Sequence, residues 1–224
     1  QSVNAAVNGG NPVNSQSYSS TEQMEANRFS EYRFYTETIE VSTMSALAFF
    51  EAGQEEYKGK RMFWQNREKS FTLVGLGHAY VLTADDYKGR FNNIQKDWKA
   101  LSAQLVNEET AVQPVLFGGF SFDPLNDQPS EWRNFPQAYF AVPTFQLIIK
   151  GEQAYVSVHL ITKAPNSFAD FEALRKERDR LIHAAQVSEP KAYQKPRVAE
   201  KKELKKEEYM RSIEQVTQVI RSGE

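Results

Sequence analysis

The chain of 224 residues has no cysteine. That excludes disulfides, thiolate nucleophiles and cysteine-ligated metals. Histidine is scarce: there are 3, at His78, His159 and His183, far apart and in no metal-ligand spacing. Nucleophilic triads therefore lack an obvious base, and no serine lies in a nucleophile-elbow pattern. An excess of one charge sign is missing too. The 27 Lys and Arg face 29 Asp and Glu, a net charge of -2, which leaves no electrostatic footprint for nucleic acid. No apolar run approaches the roughly 20 residues that span a bilayer. The expectation is a soluble, cytoplasmic protein with no nucleic-acid or membrane partner.

What is present suits a globular body. Hydrophobic residues make up 40% and charged residues 25%, enough in a chain of this length to bury a sizeable core. The first stretch, "QSVNAAVNGGNPVNSQSYSS" (1–20), is uncharged and rich in Asn, Ser and Gly. Residues 1–30 are expected to be a flexible leader without the basic start and apolar centre of a secretory signal. Residues 31–187 read as the main α+β body, 188–200, with Pro190 and Pro196, as a linker, and 201–224 as a closing helix.

Within the body, "RFYTETIEV" (33–41) is β-branched and aromatic and reads as a strand. Ser42 or Thr43 can cap the short helix "MSALAFFEAG", with Gly53 ending it. Three short strands, "KRMFWQ", "FTLVG" and "HAYVLT", suggest an antiparallel meander, with "GLG" (75–77) as a hairpin turn. Asp85 or Asp86 then caps a helix whose apolar stripe is Tyr87, Phe91, Ile94, Trp98, Leu101 and Leu105. A strand interrupted by Gly118 and Gly119 follows. Two long strands, 138–149 and 153–162, are joined by a tight turn at Gly151. A second long helix spans 167–187, with Phe168, Phe171, Leu174, Leu181 and Ile182 as its apolar residues. The closing helix, starting near Lys201 or Lys202, carries Tyr209, Ile213, Val216 and Ile220 on one face. The sum is α+β: a mostly antiparallel sheet with packed helices.

The residue types capable of chemistry do not converge. Each histidine reads as structural or surface. Adjacent carboxylates occur at Glu55 and Glu56, Asp85 and Asp86, Glu108 and Glu109, and Glu207 and Glu208. Neighbours on a helix do not face each other, so these read as solvated caps. "GLG" lacks the third glycine and the helix start of a phosphate loop. In "KAYQKPRVAEKKELKKEEYM", glutamates interleave with the lysines and no stacking platform accompanies them. The sequence offers no catalytic, cofactor-binding or metal-ligating residue.

Three segments carry a resemblance. "FFEAGQEEYKGKRMFWQNREKSFTLVGLGHAYVL" (49–82), "PVLFGGFSFDP" (114–124) and "WRNFPQAYFAVPTFQLI" (132–148) occur in this order. Together they resemble the amino-terminal half of the menaquinone-type isochorismate synthases, in the chorismate-utilising enzyme family. The likeness runs from about residue 45 to the end, and residues 1–30 carry none of it. It implies part of a large α/β sandwich and Mg²⁺-dependent isomerisation of chorismate to isochorismate. It also implies that the base, the acid and the magnesium-binding glutamates lie beyond Glu224, in a carboxy-terminal half. On this reading the chain is an inactive fragment. Its partners are chorismate and that other half in the full enzyme, and another copy of itself when isolated. The alternatives are a stand-alone binding or regulatory module, or half of a sister enzyme such as a salicylate or anthranilate synthase. Gly118 and Gly119 are expected to let another element of the full enzyme pass against their strand.

Overall fold

A computed structural model describes residues 28–86, 88–106, 111–122, 135–165, 167–188, 197 and 205–223. The chain divides into two units, Gln1–Ser188 and Glu189–Glu224.

Alternating apolar residues build the first unit around two antiparallel sheets. The larger contains β1 (Arg33–Val41), β2 (Arg61–Gln65), β3 (Phe71–Leu76), β7 (Phe145–Lys150) and β8 (Gln153–Thr162), in the order β1-β8-β7-β3-β2. The smaller contains β4 (Tyr80–Ala84), β5 (Phe117–Phe120) and β6 (Ala138–Val142), in the order β4-β6-β5. The α+β expectation holds. On one face of the larger sheet, Val74, Leu76, Phe145, Leu147, Val156 and Val158 form a core with Phe49 of α1 (Ala46–Ala52) and Leu181 of α3 (Phe168–Val187). A second core joins Leu82, Ala138 and Val142 of the smaller sheet to Ile94 and Leu101 of α2 (Arg90–Ser102), and to Phe34 and Ile161. Each of these Val, Leu, Ile and Phe side chains contributes about 1.5–3 kcal/mol by leaving water. Phe29, within the expected leader, is fully buried in this second core; residues 1–27 lie outside the described residues.

The hairpin at Gly151 forms as expected, with φ +58° there and Lys150 opposite Gln153. The expected meander forms in part: β2 and β3 pair antiparallel, but the third strand does not join them. β4 pairs with β6 rather than β3, so "GLG" is no hairpin turn. The chain changes sheets there, with Gly77 at φ +72°. The expected strand 138–149 changes sheets as well, breaking at Pro143 and Thr144 into β6 and β7. The two crossings lie against each other. Thr144 N–H donates to Leu76 O at 3.1 Å, and a Cβ on Gly77 would come within 2.8 Å of Thr144 Oγ1.

Helix starts also differ in detail. Ser45, rather than Ser42 or Thr43, caps α1, accepting from Ala48 N–H at 3.2 Å, and Gly53 ends it as expected. Asp86 does not cap α2. Its carboxylate accepts from the Lys88 and Gly89 amides at 3.2 and 2.9 Å, forming a turn ahead of the helix. The other face of the larger sheet carries a buried polar row. Thr36 Oγ1 meets His159 Nδ1 at 2.8 Å, and Thr38 Oγ1 meets Ser157 Oγ at 2.8 Å. Gln146 is held by the Val115 amide and the Gln113 carbonyl.

α3 is fastened to β1 by charge. Glu37 accepts from Arg175 and from Arg178, whose Nη1 lies 2.5 Å away and whose side chain is 8% exposed. Burial raises the Glu37 pKa, but the two guanidinium groups outweigh it and hold the carboxyl below its ordinary value. Glu37→Gln leaves the buried Arg178 with Asp179 as its carboxylate partner among the described residues. We expect it to lower stability by about 1–3 kcal/mol in urea titration, and unchanged stability would show that the pair does not hold α3.

In the second unit, α4 (Lys206–Ser222) ends at Gly223 with φ +76°. Tyr209, Ile213, Val216 and Ile220 are exposed. Most of the expected linker, and the expected helix start at Lys201 or Lys202, lie outside the described residues.

Candidate functional site

The two glycines of β5 have different surroundings. A Cβ on Gly118 would sit 2.0 Å from the Tyr139 carbonyl oxygen and 2.6 Å from Phe140 Cα. Its close neighbour is therefore β6 of this same chain, which corrects the expectation that both glycines serve an element outside it. A Cβ on Gly119 would meet nothing within 4 Å. Gly119 stands opposite Tyr139 in the register, so its missing side chain leaves a notch beside that ring.

An aromatic cluster borders the strand. Phe120 packs on Phe91 of α2 at 4.2 Å between ring centroids and on Phe140 at 4.8 Å. Arg90 is buried, with its guanidinium 5.0 Å from the Phe91 ring centre and 6.0 Å from that of Phe120. It also donates to Ser121 Oγ at 3.1 Å. The ring faces and the hydroxyl offset the desolvation of this cation. Phe91, Phe120 and Tyr139 are partly open to solvent and Phe122 is fully exposed. Among the described residues β5 pairs only with β6, which makes it an edge strand of the smaller sheet there. An open edge beside exposed aromatic rings is suited to docking another polypeptide.

Electrostatically the surroundings are quiet. His78 Nδ1 meets the Tyr139 hydroxyl at 3.2 Å. Burial, and then the positive charge of Lys60, push its pKa down, keeping the ring neutral near pH 7. His78 lies between strands rather than in one, His159 is buried in β8, and His183 is exposed on α3. No two of them meet. Glu56 pairs with Arg180 at 3.3 Å, Asp86 holds its turn, and Glu207 and Glu208 occupy the first turn of α4. Glu108 and Glu109 lie outside the described residues, as does the lysine-rich stretch 198–204. Among the described residues no group of three His, Asp or Glu is placed to hold a metal ion. Among the described residues no helix is long and apolar enough to cross a membrane.

The Arg90, Phe91 and Phe120 cluster is absent from the sequence reading, which placed Phe91 in the helix's apolar stripe. A signal existed at the end of β5, where Phe120 and Phe122 flank Ser121 just beyond the two glycines.

Comparison with known proteins agrees with the three segments singled out above. A family model described as "Chorismate binding enzyme" matches residues 19–224, beginning ahead of the region where the resemblance was read. The chain is 30% identical over 190 residues to the isochorismate synthase MenF of Bacillus subtilis, covering 81% of this chain and 40% of that protein. It is 25% identical over 131 residues to the salicylate biosynthesis isochorismate synthase of Pseudomonas aeruginosa, covering 56% of this chain and 25% of that one. The solved structure of Escherichia coli MenF, the menaquinone-specific isochorismate synthase, aligns with a TM-score of 0.45 and 16% identity over 71% of this chain and 30% of that one. The chain thus spans less than half the length of the relatives it matches. With a family match across nearly all of its residues, the chain belongs to the chorismate-binding enzymes.

Proposed function

We propose that this chain is the amino-terminal portion of an isochorismate synthase that serves menaquinone synthesis. The observation that carries the reading is sustained identity to the Bacillus subtilis enzyme over most of this chain, set against less than half of that protein. The reaction converts chorismate to isochorismate. Water adds at one ring carbon and a hydroxyl leaves from another as water, so the formula is unchanged. A base must activate the entering water and an acid must protonate the leaving hydroxyl. In this proposal both, with the magnesium ligands, lie on residues that follow Glu224. The part played by residues 1–224 is structural: the β5 edge, Gly119 and the aromatic rings beside them are the surface that the remainder covers.

The test is turnover. The chain alone, mixed with chorismate and Mg²⁺, is expected to form no isochorismate detectable by chromatography. The same chain extended by the reading frame beyond codon 224 is expected to form it. Turnover by the isolated chain, or a frame that stops at codon 224, would overturn the proposal and favour a non-catalytic binding module.

A further inference from the structure

The larger sheet ends at β2, which among the described residues pairs only with β3. Lys60 O accepts from Gly77 N–H at 2.9 Å, and Asn66 N–H donates to Phe71 O at 3.0 Å. Hydrogen-bonded positions alternate along an antiparallel ladder. Met62 and Trp64 therefore bond β3 through their main chain, while the amides and carbonyls of Arg61, Phe63 and Gln65 point away from it. Among the described residues nothing takes up those groups. Edge strands are ordinarily blunted by charges, proline or bulges. The middle of β2 is instead Met62, Phe63 and Trp64, with Phe63 42% and Trp64 50% exposed. The one charged residue of the strand, Arg61, is turned aside. Its guanidinium lies 4.2 Å from the Phe50 ring centre and donates to Phe50 O at 2.8 Å.

Charge gathers at the two ends of this edge. Lys58 and Lys60 precede β2, and Arg67 and Lys69 follow it on the turn 66–70. That turn is pinned: Asn66 Oδ1 accepts from Phe71 N–H at 2.9 Å, and Asn66 Nδ2 donates to Ser70 Oγ at 2.9 Å. All four cationic residues are exposed, and none is in an ion pair among the described residues. Residues 58–69 hold five cationic side chains and one carboxylate, Glu68, in a chain whose net charge is -2. An extended chain reaching from Lys60 to Arg67 covers about 23 Å. We propose that the β2 edge takes an extended peptide as an added strand, with acidic residues at both its ends and apolar or β-branched residues between. Its main chain pairs with Arg61, Phe63 and Gln65, its central side chains lie against Phe63 and Trp64, and its carboxylates meet the two basic clusters. A nucleic acid or an anionic lipid surface would satisfy the charges but has no main chain to pair with the strand. The site belongs to a different sheet from β5 and does not depend on the proposed activity.

The probe is a fluorescein-labelled nonapeptide with two glutamates at each end and alternating valine and threonine between them. Anisotropy titration at low salt should saturate, for this chain and for the chain extended beyond codon 224 alike. The same peptide N-methylated at every valine and threonine keeps its charge but cannot pair, and should not bind. Lys60→Glu combined with Arg67→Glu should weaken binding about 5- to 20-fold, and salt at about 0.5 M should shrink that loss. In ¹H–¹⁵N spectra the peptide should slow hydrogen exchange at the Arg61, Phe63 and Gln65 amides and leave Met62 and Trp64 as they were. Equal binding of the N-methylated peptide would reduce the effect to charge attraction and overturn strand addition. Affinity unchanged in the double variant would overturn the recognition of acidic ends. Titrations that never saturate, or binding that is lost in the extended chain, would overturn the site.

Discussion

Gly118→Ala is expected to destabilise the chain by about 3 kcal/mol or more, while Gly119→Ala, one residue along, changes stability by less than about 1 kcal/mol. The asymmetry follows from what each methyl would meet. At Gly118 it would stand 2.0 Å from a carbonyl oxygen and 2.6 Å from a Cα of β6. Neither atom can rotate away, so relief requires β5 to separate from β6 along a ladder of four paired residues. Against a typical total stability of about 5–15 kcal/mol, such a loss is large. At Gly119 the methyl enters open space, and replacing glycine in a strand removes backbone freedom from the unfolded chain. Urea denaturation followed by circular dichroism gives both values. Equal effects would show that β5 and β6 do not approach this closely. In the extended enzyme the Gly119 variant, though stable, is expected to lose activity as well. Gly119→Ala then obstructs the docked remainder, and full activity would sink the docking role of the notch.

Much of this architecture could be read locally, and the failures share one cause. β1 and the β7–β8 hairpin carry their own evidence, in alternation and in a glycine that must take positive φ. α3 shows its period over five turns. Which strand pairs with which is a non-local property. "FTLVG" and "HAYVLT" look the same whether they share a sheet or leave it, because alternation fixes a buried face and not a neighbour. The changes of sheet at Gly77 and at Pro143 therefore read as a hairpin turn and as strand interior. The β5 site was half legible for the same reason. Two glycines announced an unusual strand, but only tertiary packing shows that one of them faces β6 and the other faces nothing. Phe91 keeps helical spacing with Ile94 and Trp98, and that spacing does not reveal that its turn of α2 overhangs the smaller sheet and meets Phe120.

Lowering the pH from 7 to 4.5 is expected to remove about 2–3 kcal/mol of stability through His159 alone. Its ring is 1% exposed, beside Phe34, with Nδ1 engaged by Thr36 and Nε2 buried without a partner. Burial drives its pKa from 6.5 down to about 3, since an imidazolium there would be a desolvated cation with no counter-charge. The sign follows from proton counts. Above about pH 6.5 the imidazole is neutral in both states, and the folded form loses nothing. Between about 6.5 and 3 the unfolded chain takes up a proton that the folded chain refuses, so stability falls by about 1.4 kcal/mol per pH unit. Carboxylates contribute an acid limb of their own. Glu37, held below its ordinary value, adds loss as the pH falls through that lowered value. The comparison that isolates the histidine is with His159→Gln, whose amide can still hydrogen-bond Thr36 but does not titrate. Urea titrations of both chains between pH 7.5 and 4.5 should diverge, the unmodified chain losing more by about 2–3 kcal/mol at the acid end. Because Glu37 and every other carboxylate are common to both, parallel curves would mean that His159 takes up its proton in the folded state without penalty, and that the polar row beneath the 113–116 segment admits solvent.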